Sequence, residues 1–289
     1  MFRKLDILVI SDVHLGTFGC NAKKLLNYLR SVKPKILVLN GDIIDGWQFT
    51  KYYFPKAHLK VIKYILKLAT NGTKVYYVTG NHDEFLRKYS NMSLGNIKLV
   101  DKLVLNVNNK KLWLFHGDIF DYFQKGFAKI FAKLGGIGYD FLILINTMIN
   151  TVYDLLGKEQ MRVSKYVKDN FKQASKYINN FENTISDLAI EKSYDYVICG
   201  HIHEPVIKNI KNKKGSCTYL NSGDWVENLT ALEYVNNEWN IFYYKNSKFK
   251  NIKNKNKEIN KEINKEIDKD IYENIVLTSS NGKRSHNKV

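Results

Sequence analysis

Five of the seven histidines in this chain stand in short polar clusters directly after apolar runs. Asp12 and His14 occur in "SDVHLG", Asp42 and Asp45 in "NGDIIDGW", and Asn81 and His82 in "TGNHDE". Further on, His116 occurs in "FHGD", and His201 and His203 in "CGHIHEP". Imidazole, carboxylate and amide are borderline to hard ligands, suited to Mn, Fe, Zn and similar divalent ions. The set exceeds what one ion needs, so two are implied. Paired ions lower the pKa of a shared water, which is the chemistry of metal-assisted hydrolysis. A lone His-x-His pair would be unremarkable; five coordinated clusters are not.

The elements that must position these groups are legible as well. Apolar, β-rich runs at 5–11, 35–40, 74–79, 111–116 and 195–200 read as buried strands, each immediately preceding one cluster or, at the last positions of the run, including it. Helix-like segments separate the first three, which favours an α/β fold. In an open α/β sheet the carboxyl ends of strands share one edge, so distant clusters converge on one crevice. Read as extended chain, His201 and His203 project to the same side, and Gly200 lets the backbone pass close to the ions. Segment 56–70, "KAHLKVIKYILKLAT", reads as a helix whose Lys56, Lys60, Lys63 and Lys67 form a solvated face.

With 289 residues, 44% of them hydrophobic, the chain can bury a substantial core. Its N-terminal apolar stretch is far shorter than a secretory or membrane-spanning segment, and three cysteines without metal-site spacing suit reduced thiols, so a cytoplasmic protein is expected. The net charge is +17, and residues 1–118 hold 19 Lys and Arg against 8 Asp and Glu. That imbalance attracts phosphate-rich partners, an anionic bilayer surface among them, without choosing between them. A mostly helical insertion is expected over about 119–194, carrying the apolar run "YDFLILINTMI" that reads as a buried or interfacial helix. The core domain is then 1–245, and the repetitive "NKEINKEINKEIDKDI" places a charged tail, disordered or a single helix, over 246–289.

In this order, "DVH", "GDIID", "GNHD", "HGD" and "GHIH" resemble the calcineurin-like metallophosphoesterase superfamily, over about residues 5–224. Within it the tryptophan of "NGDIIDGW", "HGDIFD", the long insertion and "LNSGDWVE" are similar to the bacterial UDP-2,3-diacylglucosamine diphosphatase branch. The resemblance implies a sandwich of two β-sheets flanked by helices, with Mn as the usual activating ion. It assigns Asp12, His14, Asp42 and His203 to one ion, and Asp42, Asn81, His116 and His201 to the other. It further implies that Asp45 orients His82 for catalysis, and that Asn81, His82 and His201 meet the substrate. Diphosphatases of the best-known type carry Arg where this chain has His82. The implied activity is hydrolysis of UDP-2,3-diacylglucosamine to UMP and 2,3-diacylglucosamine 1-phosphate, at the inner face of the cytoplasmic membrane and with no specific nucleic-acid partner. The competing readings are a phosphodiesterase or phosphatase on soluble phosphoesters, and a catalytically dead basic scaffold; the second is disfavoured because no ligand is missing.

Overall fold

The computed structural model describes residues 2–48, 54–120 and 164–246, with backbone alone over 164–176 and at 246. The apolar run 139–149 and nearly all of the tail 246–289 lie outside the described residues. Strands β1 (Arg3–Ile10), β2 (Val32–Asn40), β3 (Lys74–Val78), β4 (Ser93–Leu94) and β5 (Ile97–Val100) belong to one sheet. The chain then builds a second sheet from β6 (Leu103–Val107), β7 (Lys110–Leu114), β8 (Tyr196–Cys199), β9 (Val206–Asn212) and β10 (Gly215–Asn221). It returns to the first with β11 (Thr230–Val235) and β12 (Glu238–Tyr243). The strand orders are β12-β11-β1-β2-β3-β5-β4 and β6-β7-β8-β10-β9. Strands β1, β2, β3 and β5 run parallel, as do β7, β8 and β10, so each sheet offers a row of carboxyl ends.

Alternation along the strands explains the layering. Ile7, Val9, Val38 and Val78 of the first sheet meet Leu112, Leu114, Ile198 and Leu220 of the second in one buried cluster. Burying each such side chain stabilises the sandwich by about 1.5–3 kcal/mol, so the sheets are held face to face by ordinary hydrophobic packing. The alternate residues Leu8, Ile10, Leu37 and Leu39 are buried on the opposite face of the first sheet. On the second sheet, Phe181, Ile185, Ala189 and Ile190 of helix α3 (Ser164–Glu191) pack against Val197, Cys199, Cys217 and Tyr219.

Helices α1 (Ala22–Leu29) and α2 (Lys56–Thr70) pack on each other, and α1 on β2. Helix α2 spans the segment its periodicity indicates: His58, Val61, Ile65, Leu68 and Ala69 share a buried face. Lys56, Lys63 and Lys67 are exposed and Lys60 half-buried, which makes the lysine stripe a solvated face. Cys20, Cys199 and Cys217 are all free thiols. No helix among the described residues is long and apolar enough to cross a membrane.

Candidate metal centre

The polar clusters all fall where parallel strands end, and the two rows of ends bring their side chains together. Beyond β1 and β2 the chain stays zipped: Asp12 N–H donates to Gly41 O (3.1 Å), and Val13 and His14 N–H both donate to Asp42 O (2.9 Å each). Five of the expected ligands hold a left-handed backbone, with φ of 52° at Asp12, 53° at His14, 54° at Asp42, 68° at His201 and 57° at His203. A non-glycine residue in that region costs on the order of 1–3 kcal/mol and persists only when its surroundings over-determine it. His201 and His203 therefore do not reach the crevice by strand alternation, as extended chain would have them do. Strand β8 ends at Cys199, and two left-handed residues separated by Ile202 turn both rings inward. Glycine is required close by: a Cβ on Gly200 would stand 2.6 Å from Asp12 Oδ2, and one on Gly80 would overlap Asp42 Oδ1.

Side-chain donors gather into three overlapping groups. Asp12, His14 and His203 offer atoms within 4.8 Å of one another, as do Asp42, His116 and His201, and also His14, Asp45 and His82. His203 Nε2 lies 3.1 Å from Asp12 Oδ1, and His116 Nε2 lies 3.2 Å from Asp42 Oδ2. Asp42 is adjacent to both outer donor groups, through its carbonyl to His14 and through its carboxylate to His116. Asn81 follows Gly80, which abuts Asp42 and His116, and precedes His82, whose N–H donates to Asp42 Oδ1 (2.9 Å). The structure thus brings all seven expected ligand residues to one place.

Whether these groups suit divalent ions can be tested on their hydrogen bonds. His116 Nδ1 is 3.0 Å from the carbonyl of Asn40, which can only accept, so Nδ1 carries the proton and Nε2 is left as a lone pair. Without a proton, that Nε2 sets a lone pair against Asp42 Oδ2 3.2 Å away, and the buried side-chain oxygen of Asn81 has no hydrogen-bond partner either. A buried acceptor left unmatched costs about 1–3 kcal/mol, and a cation is the partner that would satisfy both. His14 is oriented in the same way: its Nδ1 meets Asp45 Oδ2 at 3.2 Å, leaving Nε2 for the first group.

The electrostatics agree. Burial pushes the carboxyl of Asp42 towards neutrality, but the imidazoles of His116, His14 and His82 outweigh it and hold the group well below the usual carboxylate range. Burial likewise opposes charge on His203, yet the Asp12 carboxylate raises it to about 9. For His116 the Asp42 carboxylate outweighs burial, again upwards. Carboxylates this concentrated draw positive charge onto their neighbours, and a divalent ion is the alternative to those protons.

Next to the ligands, Asp45 Oδ2 also faces His82 Nδ1 at 2.8 Å, while its Oδ1 accepts the N–H groups of Trp47 (3.1 Å) and Gln48 (2.9 Å). His82 is held by that carboxylate with Nε2 towards Asp42, 4.0 Å from Oδ2. Burial lowers its basicity and Asp45 more than restores it, so its pKa is raised. Trp47, exposed to 63%, lies over the His82 ring at 4.0 Å. Asp83 ties the β2 and β3 loops together by accepting from Gly80 N (2.6 Å), Ile43 N (2.9 Å) and Tyr77 OH (2.7 Å). Asp224 caps the turn after β10 through Val226 N (2.7 Å) and Glu227 N (2.5 Å), and lies 4.0 Å from His203 Nδ1. Trp225 is buried and stacks on Tyr28, while Glu84 and Glu204 are exposed. Asn40 and Asn228 escape a reading of the sequence: Asn40 orients His116, and Asn228 Nδ2 donates to His203 O (2.7 Å). For Asn40 a signal does exist, an amide closing the apolar run "KILVLN".

A family model described as calcineurin-like phosphoesterase matches residues 5–205. The chain belongs to the calcineurin-like phosphoesterase family. It is a metal-dependent phosphohydrolase with the two-sheet metallophosphoesterase fold. Among curated relatives, the UDP-2,3-diacylglucosamine hydrolase of Blochmanniella pennsylvanica is 26% identical over 242 residues, covering 79% of this chain and 92% of its own. That of Stenotrophomonas maltophilia (strain R551-3) is 24% identical, covering 82% of this chain and 98% of its own. Of solved structures, a phosphoesterase from E. coli aligns at 15% identity and a TM-score of 0.43, over 82% of this chain and 92% of that one. The family assignment rests on the family model and not on that remote likeness.

Proposed function

We propose that this phosphoesterase hydrolyses the pyrophosphate of UDP-2,3-diacylglucosamine, giving UMP and 2,3-diacylglucosamine 1-phosphate. One observation carries the proposal: two ligand groups, Asp12–His14–His203 and Asp42–His116–His201, adjoin at Asp42. The names of the curated relatives supply the substrate. In this reading Asp12, His14, Asp42 and His203 hold one ion, and Asp42, Asn81, His116 and His201 the other, with Mn as the metal. When bound, the ions would supply Lewis acidity to water and to the phosphoryl oxygens.

The chain's own groups do the rest. Asp45 accepts from His82 Nδ1–H and favours the cationic ring, so that Nε2–H is also present and can face the phosphoryl group. There it donates to the charge that develops on phosphoryl oxygen, a role that Arg could also fill. A phosphate monoester leaving group, whose second pKa is about 6, needs little protonation. The segment 119–194 is assigned to shelter the acyl chains, and 1–245 to form the catalytic domain with 246–289 as an appended tail. The basic N-terminal half is assigned to hold the enzyme at the anionic inner face of the cytoplasmic membrane, each nearby Lys or Arg contributing on the order of 1 kcal/mol.

His82 also favours a second reading, a phosphodiesterase or phosphatase on soluble esters. An imidazolium held by Asp45 is the general acid that an alkoxide leaving group requires, worth about 10²- to 10⁴-fold in rate. Incubation with UDP-2,3-diacylglucosamine and Mn, beside an Asp42→Asn control, separates the two. Release of UMP supports the first reading; no UMP with rapid cleavage of a simple diester replaces it with the second.

A further inference from the structure

Just outside the crevice, one stretch of surface departs from what a soluble fold needs. Leaving His82, the chain runs down the outer edge of the first sheet through the 3-10 turn Glu84–Tyr89. Met92 N–H then donates to Tyr89 O (3.0 Å), its carbonyl accepts from Leu99 N–H (2.9 Å), and β4 closes the sheet by pairing antiparallel with β5. Along this path Phe85, Tyr89, Met92 and Leu94 are 48%, 45%, 59% and 75% exposed. Single exposed apolar residues are ordinary, but four within ten positions of a segment that ends in the outermost strand are not. The ring of Phe85 packs over Gly46, where a Cβ would stand 2.8 Å from it, and the next residue is the exposed Trp47 that covers His82. The apolar surface therefore continues to the mouth of the crevice.

Charge identifies what the edge fits. From Phe85 to Lys98 the sequence "FLRKYSNMSLGNIK" contains no carboxylate. Arg87 is bonded to Asp118 (2.9 Å), while Lys88, whose amine lies 4.9 Å from the Tyr89 ring, and Lys98 are exposed. An outermost strand is a template for another chain, but a second copy would bring Lys88 and Lys98 again, with Glu84 as the one exposed carboxylate of the turn to set against them. A bilayer carrying anionic phospholipid, met edge-on, offers phosphates to Lys88 and Lys98 and an acyl boundary to Met92 and Leu94, which lie between them in the sequence.

We propose that residues 85–98 are a docking edge for bilayers rich in anionic phospholipid, seating the mouth of the crevice at the lipid surface. The inference rests on the reading that the substrate is lipid-borne, but its test does not use that substrate. The Mn-loaded full chain is floated with vesicles of phosphatidylcholine alone or mixed with phosphatidylglycerol. Wild type floats with the mixed vesicles and much less with the neutral ones. Met92→Ser/Leu94→Ser and Lys88→Glu/Lys98→Glu each lower partitioning by about tenfold or more, and both hydrolyse bis(p-nitrophenyl) phosphate within about twofold of wild type. The proposal is overturned if both variants float like wild type, or if wild type ignores phosphatidylglycerol. It is also overturned if light scattering shows a dimer that Met92→Ser/Leu94→Ser dissolves. Flotation as expected, with no UMP from UDP-2,3-diacylglucosamine, removes the proposed reaction and leaves the docking edge standing.

Discussion

Replacing Asp45 by Asn changes one atom and almost no volume, yet it should disable the centre. In the wild type Oδ2 accepts from the Nδ1 atoms of both His14 and His82, and Oδ1 accepts from two backbone N–H groups. An amide has one acceptor and one donor, so in either orientation its NH2 confronts two donors. Turned to the histidines, it forces their ring protons onto Nε2, the atom His14 presents to the first ion. Turned to the backbone, it deprives the N–H groups of Trp47 and Gln48 of their acceptor. A hydrogen bond to a charged group is worth about 1.5–3 kcal/mol, so losing one bond weakens binding about tenfold and losing both about a hundredfold. This is also the span found for outer-shell ligand partners. The assay is calorimetric titration of Mn into wild type and Asp45→Asn at one pH, with turnover of a soluble diester measured alongside. If the variant binds both ions with wild-type affinity and turns over within about twofold, the argument from ring orientation is wrong.

The remaining expectations concern the same centre. Gly80→Ala places a Cβ onto Asp42 Oδ1 and 2.8 Å from His116 Cδ2, so the protein should lose about 1–3 kcal/mol in denaturant melts and bind its second Mn markedly more weakly. After treatment with EDTA, the His203–Asp12 pair stabilises the fold fully below the ordinary histidine value of 6.5 and ceases to do so as pH rises through about 9. The melting temperature of the stripped protein should therefore fall across that window while Mn affinity rises, and His203→Gln should flatten both trends. Adding Mn back at a hundred times its dissociation constant should stabilise the fold by about 2.7 kcal/mol per site, read as a rise in Tm. Ile198→Ala, cut from the packing between the sheets, should cost about 2–5 kcal/mol and lower activity only as far as it unfolds the chain.

Much of the centre is legible in the amino-acid sequence alone, because each ligand cluster is anchored to an apolar run that only a buried strand explains. Strands β1, β2, β3, β7 and β8 and helix α2 announce themselves in this way. Some of the strands that the sequence conceals are short or half-exposed, although β11 is neither. β4 has two residues and both are exposed, and β9 reads "VIKNIKN" with most positions open to solvent. Two hairpins do carry a local mark, the Asn108–Asn109 and Asn236–Asn237 pairs at positive φ between β6 and β7 and between β11 and β12. The left-handed backbone at the ligands has no such mark. Neither aspartate nor histidine demands it, and it is imposed by the zipped β1 and β2 loops and by the close passage of Gly80 and Gly200.

That backbone gives the centre a direction in which drift runs downhill. At Asp12, His14, Asp42, His201 and His203 the main chain would be more comfortable as glycine or asparagine, and the hold on cations is what these side chains give in return. Glycine at His201 should thus abolish turnover and yet yield a chain whose ion-free scaffold tolerates heat better than its parent's, whereas at His203 the lost pairing with Asp12 works the other way. A descendant freed from hydrolysis would shed these side chains before any other part of its sandwich, becoming hardier as it became inert.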